Sequence, residues 1–155
     1  MHLLTTSFRP FLLLAAILSL LSTTLAQNQC EGDKSIEGYC TILSMTDVTD
    51  KSSKTPTTAQ CMNTCRSILS DAGDWIVDFT GHPEGYIDKL SQSSCSFSIG
   101  RGAGEGLDYR FHMHNQDIVD IIDDVNRRFG GLHGGNVAAE GTMECEGHQA
   151  TWFVN

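Results

Sequence analysis

The sequence predicts an α+β fold, a mainly antiparallel sheet with two amphipathic helices on one face, stapled by disulfides. Three observations lead there. Leu107, Tyr109, Phe111 and Met113 alternate with Asp108, Arg110, His112 and His114, the period of a strand with one buried face. Ile118, Ile121, Ile122, Val125 and Phe129 recur at helical spacing, giving that segment one apolar stripe. Six cysteines, an even number, follow an apolar leader, which is the pattern of an oxidised, bridged domain. Several strands with two good helices fit a sheet covered on one side better than a closed barrel.

The chain opens with Arg9, an apolar run from Phe11 to Leu21 and the small-residue site Thr24-Leu25-Ala26. This is the layout of a secretory signal, and its apolar run is too short to span a bilayer comfortably. Residues 1–26 are therefore expected to be removed, leaving 27–155 as a single secreted domain. From Gly38 to Met45, β-branched residues and weak alternation predict a strand. Asp47 to Thr57 is polar, with Pro56 near its end, and reads as a loop. Thr57 or Thr58 then caps a helix to about Asp71, with Cys61, Cys65, Ile68 and Leu69 inward and Gly73 as the stop.

Trp75, Val77 and Phe79 share one side of a strand over Asp74–Thr80, and residues 81–85 form a turn. Tyr86–Leu90 is a helical turn or a strand. Cys95, Phe97 and Ile99 alternate with small residues in the next strand, and Gly100–Gly106 is a flexible hairpin loop leading to the Leu107–Met113 strand. Asn115 is the expected cap of the second helix. Asp117 and Asp120 complement its positive end, Arg127 and Arg128 its negative end, and Gly130 supplies a left-handed stop. Strands over Asn136–Cys145 and His148–Val154, joined by a Glu146-Gly147 turn, complete the chain.

Formal net charge is −9, and because Arg9 is the one charged residue in the leader, the mature domain is one charge more negative still. Such a domain repels phosphate backbones and anionic membranes, so no nucleic-acid partner and no stable membrane insertion are expected. No Asn-x-Ser/Thr acceptor for N-glycosylation occurs. Cys61 and Cys65 lie one helical turn apart, where a mutual bridge would be strained, so each should tie the helix to another element. The pairing of Cys30, Cys40, Cys61, Cys65, Cys95 and Cys145 stays open, since six cysteines allow about 15 arrangements. No second closely spaced Cys or His pair matches a zinc pattern beside Cys61 and Cys65, so neither a metal nor a cofactor is expected.

Arg110, His112 and His114 lie on the polar face of the alternating strand. With the Gly100–Gly106 loop they form the candidate binding surface, because exposed loops usually carry binding. Two imidazoles at this spacing are compatible with a metal, but a third ligand is not evident nearby. The glycine-rich loop lacks a following Lys-Ser/Thr pair and does not open a helix, so it is no phosphate cradle. Leu132-His133-Gly134-Gly135 has no Gly-x-Ser-x-Gly partner and reads as a turn after a helix. Asp117, Asp120, Asp123 and Asp124 read as a solvated acidic face. Trp75 and Trp152 alternate with polar neighbours and are expected in the core.

The order of residues in the last third is the most specific signal. Asn115-Gln116-Asp117-Ile118, Arg127-Arg128-Phe129, Ala139-x-Gly141-Thr142-Met143-x-Cys145 and Trp152 resemble the fungal secreted necrosis-inducing-factor effector domain, the homologues of extracellular protein 2. Upstream, Cys61 and Cys65, Ile68, Trp75 and Ser94-Cys95-Ser96-Phe97 fall in the same order, so the resemblance covers about residues 38–155. Cys30 and the paired Cys61 and Cys65 add to the commoner four-cysteine pattern.

The resemblance implies a killer-toxin-like α/β sandwich and a secreted fungal effector, linked to host cell death or to antagonism of other microbes. It carries no catalytic residues. The expected protein is a non-enzymatic, extracellular monomer that binds an unidentified host or microbial target protein or cell surface. Two other readings stand beside it. One is a small secreted hydrolase using His112 or His114 with an acidic partner. The other is a glycan- or wall-binding module, for which Tyr39, Tyr86 and Trp152 are the aromatic candidates.

Overall fold

A computed structural model describes residues 27–71 and 73–155, so the expected signal at 1–26 lies outside the described residues. The element order is β1 (Cys40–Ile42), β2 (Thr46–Asp47), α1 (Thr58–Ser70), β3 (Trp75–Asp78), β4 (Ile87–Ser91), β5 (Phe97–Arg101), β6 (Arg110–Met113), α2 (Asn115–Phe129), β7 (Ala139–Cys145) and β8 (His148–Val154). The main sheet runs β1-β7-β8-β5-β4 with β2 also on β7, and β3 and β6 form a separate two-stranded ribbon. Every pairing is antiparallel. The α+β expectation holds.

The β7–β8 hairpin organises the sheet. Its alternation puts Ala139, Met143, Cys145, Ala150, Trp152 and Val154 on the buried side and Glu140, Glu144 and Gln149 on the open side. Glu146 and Gly147 both take positive φ, 51° and 84°, as a two-residue turn matched to strand twist requires. Gly141 stands opposite Trp152, and a Cβ there would meet the indole Cζ2 at 2.5 Å and the Ser44 carbonyl oxygen at 2.0 Å. Only glycine lets the indole and the neighbouring backbone approach this closely.

Both helices lie on the Trp152 side. Thr57 and Gln60 form a reciprocal cap on α1, Gln60 N donating to Thr57 Oγ1 at 3.2 Å and Thr57 N to Gln60 Oε1 at 2.8 Å. Its inner face is Cys61, Thr64, Cys65 and Ile68. The α2 stripe of Ile118, Ile121, Ile122 and Val125 is buried with Phe79, Phe97, Phe111 and Trp152 in one apolar cluster. Each of these large side chains contributes roughly 1.5–3 kcal/mol by leaving water.

The three bridges are Cys30–Cys65, Cys40–Cys145 and Cys61–Cys95, closing sequence separations of 35, 105 and 34 residues. Cys61 and Cys65 thus bond to separate elements, as strain in a one-turn bridge demands. Loops of these lengths contribute about 3–5 kcal/mol each in the chain-entropy account.

Several boundaries differ from expectation, each for a local reason. The expected Gly38–Met45 strand is shortened to β1 at Cys40–Ile42, with β2 following beyond it at Thr46–Asp47, because Leu43 N and Ser44 N both donate to Thr142 O, at 2.9 and 3.1 Å. Two residues facing one make a bulge. The Leu107–Met113 strand begins only at Arg110, since Leu107 O is taken by Arg101 Nε at 3.0 Å and Asp108 Oδ1 by Gly81 N at 2.9 Å. His114, not Asn115, caps α2. Gly130 is right-handed (φ −56°), and the left-handed turn falls later, at Gly134 and Gly135. Gly130 is needed for space instead, as a Cβ would lie 2.6 Å from Thr58 Cγ2 of the other helix.

The Gly100–Gly106 segment is not a hairpin loop. It crosses from β5 in the main sheet to β6 in the ribbon. Gly102 N donates to Gln149 O at 3.1 Å, and Glu105 accepts from Gln149 N at 2.7 Å. Arg101 gives its guanidinium to the carbonyls of Phe79, His82 and Pro83 at 2.6–2.9 Å. Of the two readings of Tyr86–Leu90, the strand is found, as β4 over Ile87–Ser91.

Candidate binding surface

The ribbon displays the predicted residues. In β6 the inward side chains are Phe111 and Met113, which turns Arg110 and His112 outward. Across the ribbon His112 faces Ile76 and Arg110 faces Asp78. Ile76 is 58% exposed, an aliphatic side chain left in water beside a cation and an imidazole. His114 lies one residue beyond β6, at the entry to α2.

Tyr39 draws the two histidines together. Its ring centroid is 6.1 Å from that of His112 and 5.7 Å from that of His114. Its hydroxyl donates to Asp74 Oδ2 at 3.0 Å, and Asp74 Oδ1 is 3.4 Å from His114 Nε2. That hydrogen bond to Asp74, with the carboxylate's charge, raises the Tyr39 pKa. On the other side Glu146, at the β7–β8 turn, accepts from His112 N at 2.8 Å and lies 3.1 Å from His112 Nδ1. The bond from the His112 backbone is the main reason that the Glu146 pKa is lowered. Each imidazole therefore has one carboxylate neighbour.

Beneath this surface Asp117 departs from its expected place on a solvated acidic face. It is 7% exposed and accepts three backbone N–H groups, from His114 at 2.7 Å, Tyr39 at 3.1 Å and Cys40 at 3.3 Å. Burial raises its pKa in spite of these bonds. Gly38 permits the arrangement, since a Cβ there would stand 1.9 Å from Asp117 Oδ1. The other acids of α2 are engaged as well. Asp120 pairs with Lys34, Asp123 accepts from Asn28, and Asp124 pairs with Arg127 and Arg128.

Among the described residues no group of three or more His, Cys, Asp or Glu is placed to hold a metal ion, and no helix is long and apolar enough to cross a membrane. His133 is drawn away from the candidate surface to Asp47 at 2.6 Å and Asp50 at 3.3 Å. His148 stands against Tyr109 and Glu105. Of the aromatics considered for glycan contact, Trp152 is fully buried and Tyr86 is stacked on His82 at 3.8 Å, leaving Tyr39, 41% exposed. Sequence reading missed Ile76. Its signal was present as the residue out of phase with Trp75, Val77 and Phe79.

A bridged hairpin and a capped helix thus define a small, disulfide-stapled α+β protein. The chain belongs to the pathogen-effector family described as a necrosis-inducing factor (Hce2), which it matches over residues 39–145. Cys30, and with it the Cys30–Cys65 bridge, falls partly outside that span. No curated protein matches the chain. Membership and three disulfides are consistent with an extracellular protein.

Proposed function

We propose that the protein is exported by its leader and acts as a non-enzymatic effector or toxin-like protein. It promotes host cell death or antagonises other microbes by binding a target through the ribbon face. The observation that carries this is the exposed Ile76 beside Arg110 and His112 on a ribbon whose other side is locked in the core. An apolar centre with a polar surround is the anatomy of a protein-binding patch. Family membership supports the effector role.

The test is infiltration of oxidised 27–155 into leaves of several plants, beside a fungal growth-inhibition assay. Reduced and alkylated protein serves as control. The oxidised form should kill cells or arrest growth, and Ile76→Ala with Arg110→Ala and His112→Ala should abolish this while circular dichroism is unchanged. Full activity in that variant would refute the surface. A hydrolytic reading has the His112–Glu146 and His114–Asp74 pairs behind it. Turnover of RNA, glycan or peptide substrates that disappears in His112→Ala would establish it in place of binding.

A further inference from the structure

The open face of the main sheet, on the far side from the core, carries a groove of about 790 Å³ that the ribbon-face reading does not use. Its floor is β5 and β8, and its walls are the 53–54 segment and the β4–β5 connection. We propose that this groove binds an acidic oligosaccharide, a chain of uronic-acid units, with a sugar face on Phe153 and carboxylates at Lys54 and Lys89.

Three independent features favour that ligand. The first is the floor. Phe153 lies on the open face opposite Ser98, and its ring and Ile87 cover Gly100. A Cβ on Gly100 would be 2.9 Å from Ile87 Cδ1 and 3.5 Å from Phe153 Cε2, so glycine lets both lie low against the sheet. The result is a flat apolar floor of the kind on which the C–H face of a pyranose rests. Two neighbouring depressions also include Phe153, which places this ring where all three meet.

The second is the hydrogen-bonding wall. Ser98 is only 7% exposed yet lines the groove, and its hydroxyl bonds to no other described residue. Gln92 is exposed at the rim with its amide uncommitted. Paired donor–acceptor groups around an apolar floor suit a polyhydroxylated ligand better than an apolar one.

The third is charge. Lys54 and Lys89 are exposed and neither forms an ion pair with a described residue. No Asp or Glu side chain lines the groove, in a chain with 19 acidic and 10 basic residues. Asp88, next to Lys89, pairs with Ile99 and so points to the core side. Glu140 faces Phe153 from β7 but lines the neighbouring depression, so the groove itself is locally cationic on an anionic protein and favours an anionic ligand. A peptide strand would instead seek the edge of the sheet at β4, not its face.

The experiment is calorimetric titration of oxidised 27–155 with oligogalacturonate and with its fully methyl-esterified form, which has the same sugars without the charge. The acid should bind roughly tenfold more tightly at low salt, the scale of two exposed charge pairs, and the gap should close as salt rises. Lys54→Gln with Lys89→Gln, both at exposed positions, should bring the acid to the level of the ester. Phe153→Ala should weaken both ligands. Arg110→Ala with His112→Ala should leave binding unchanged, which separates this site from the ribbon face. No binding, equal binding of acid and ester, or insensitivity to the lysine pair would overturn the proposal. So would loss of binding in the ribbon variant.

Discussion

Asp117 concentrates the local chemistry of this fold. One carboxylate holds the N–H groups of Tyr39, Cys40 and His114, and so joins the start of β1 to the entry of α2. Asp117→Ala would orphan all three donors and should lower stability by about 3 kcal/mol in chemical denaturation. Gly38→Ala should also destabilise, because the new methyl would occupy the space of the carboxylate oxygen. Because burial raises the pKa of Asp117, the folded state holds its proton more tightly than the unfolded chain. That contribution is complete below the ordinary value of 3.8 and is lost as pH rises through the folded value. Asp117→Asn should flatten this part of the pH–stability curve. The sequence shows Asp117 near a helix start, where a solvated dipole partner is the simplest reading. What buries it is the return of Tyr39 and Cys40 from 77–78 residues away, which no local pattern reports.

At the scale of elements, β2 and the turn after α2 are joined by Asp47 and His133. The hydrogen bond to Asp47 raises the His133 pKa. Burial works to raise the Asp47 pKa, but the bonds from Thr49 and His133 hold it below its ordinary value. The His133 contribution is full below its ordinary 6.5 and disappears as pH rises through its folded value. The Asp47 contribution is full above its ordinary 3.8 and disappears as pH falls through its folded value. Amide exchange at Val48 and Gly135 should therefore be slowest between these limits and quicken on either side. His133→Ala should remove the acceleration on the alkaline side. Element identity was largely legible here. Period two located β5 to β8, and the capping pattern located α1. Strand partners were not legible, since alternation says which side chains share a face and not which strand lies alongside. Thus β3 finds β6 across more than thirty residues, and the β5–β6 connection proves to be a crossover.

The whole molecule is a sheet with one face buried under helices and ribbon and the other left open. Of the candidate surface, Arg110 and His112 were legible from alternation alone, whereas Tyr39, Asp74 and Glu146 arrive from other elements. The groove was invisible in sequence because Phe153 alternates with Trp152, and the larger indole draws attention to the buried side. Cys40–Cys145 closes the longest loop, 105 residues, and joins the two ends of the matched family span. Replacing both cysteines with serine should cost about 2–5 kcal/mol, read as a fall in Tm. The Cys30–Cys65 bridge works differently. It anchors an N-terminal strap that reaches α2, with Asn28 bonded to Asp123, Asp33 N to Gln116 and Lys34 to Asp120. By these contacts the strap lies along the Gln116–Asp123 stretch of α2 and should lower its accessibility to antibody. Serum raised against a linear peptide of residues 115–124 should recognise the reduced, unfolded chain on a blot and fail to capture the oxidised protein from solution. Cys30→Ser with Cys65→Ser should restore capture by unfastening the chain's own cover.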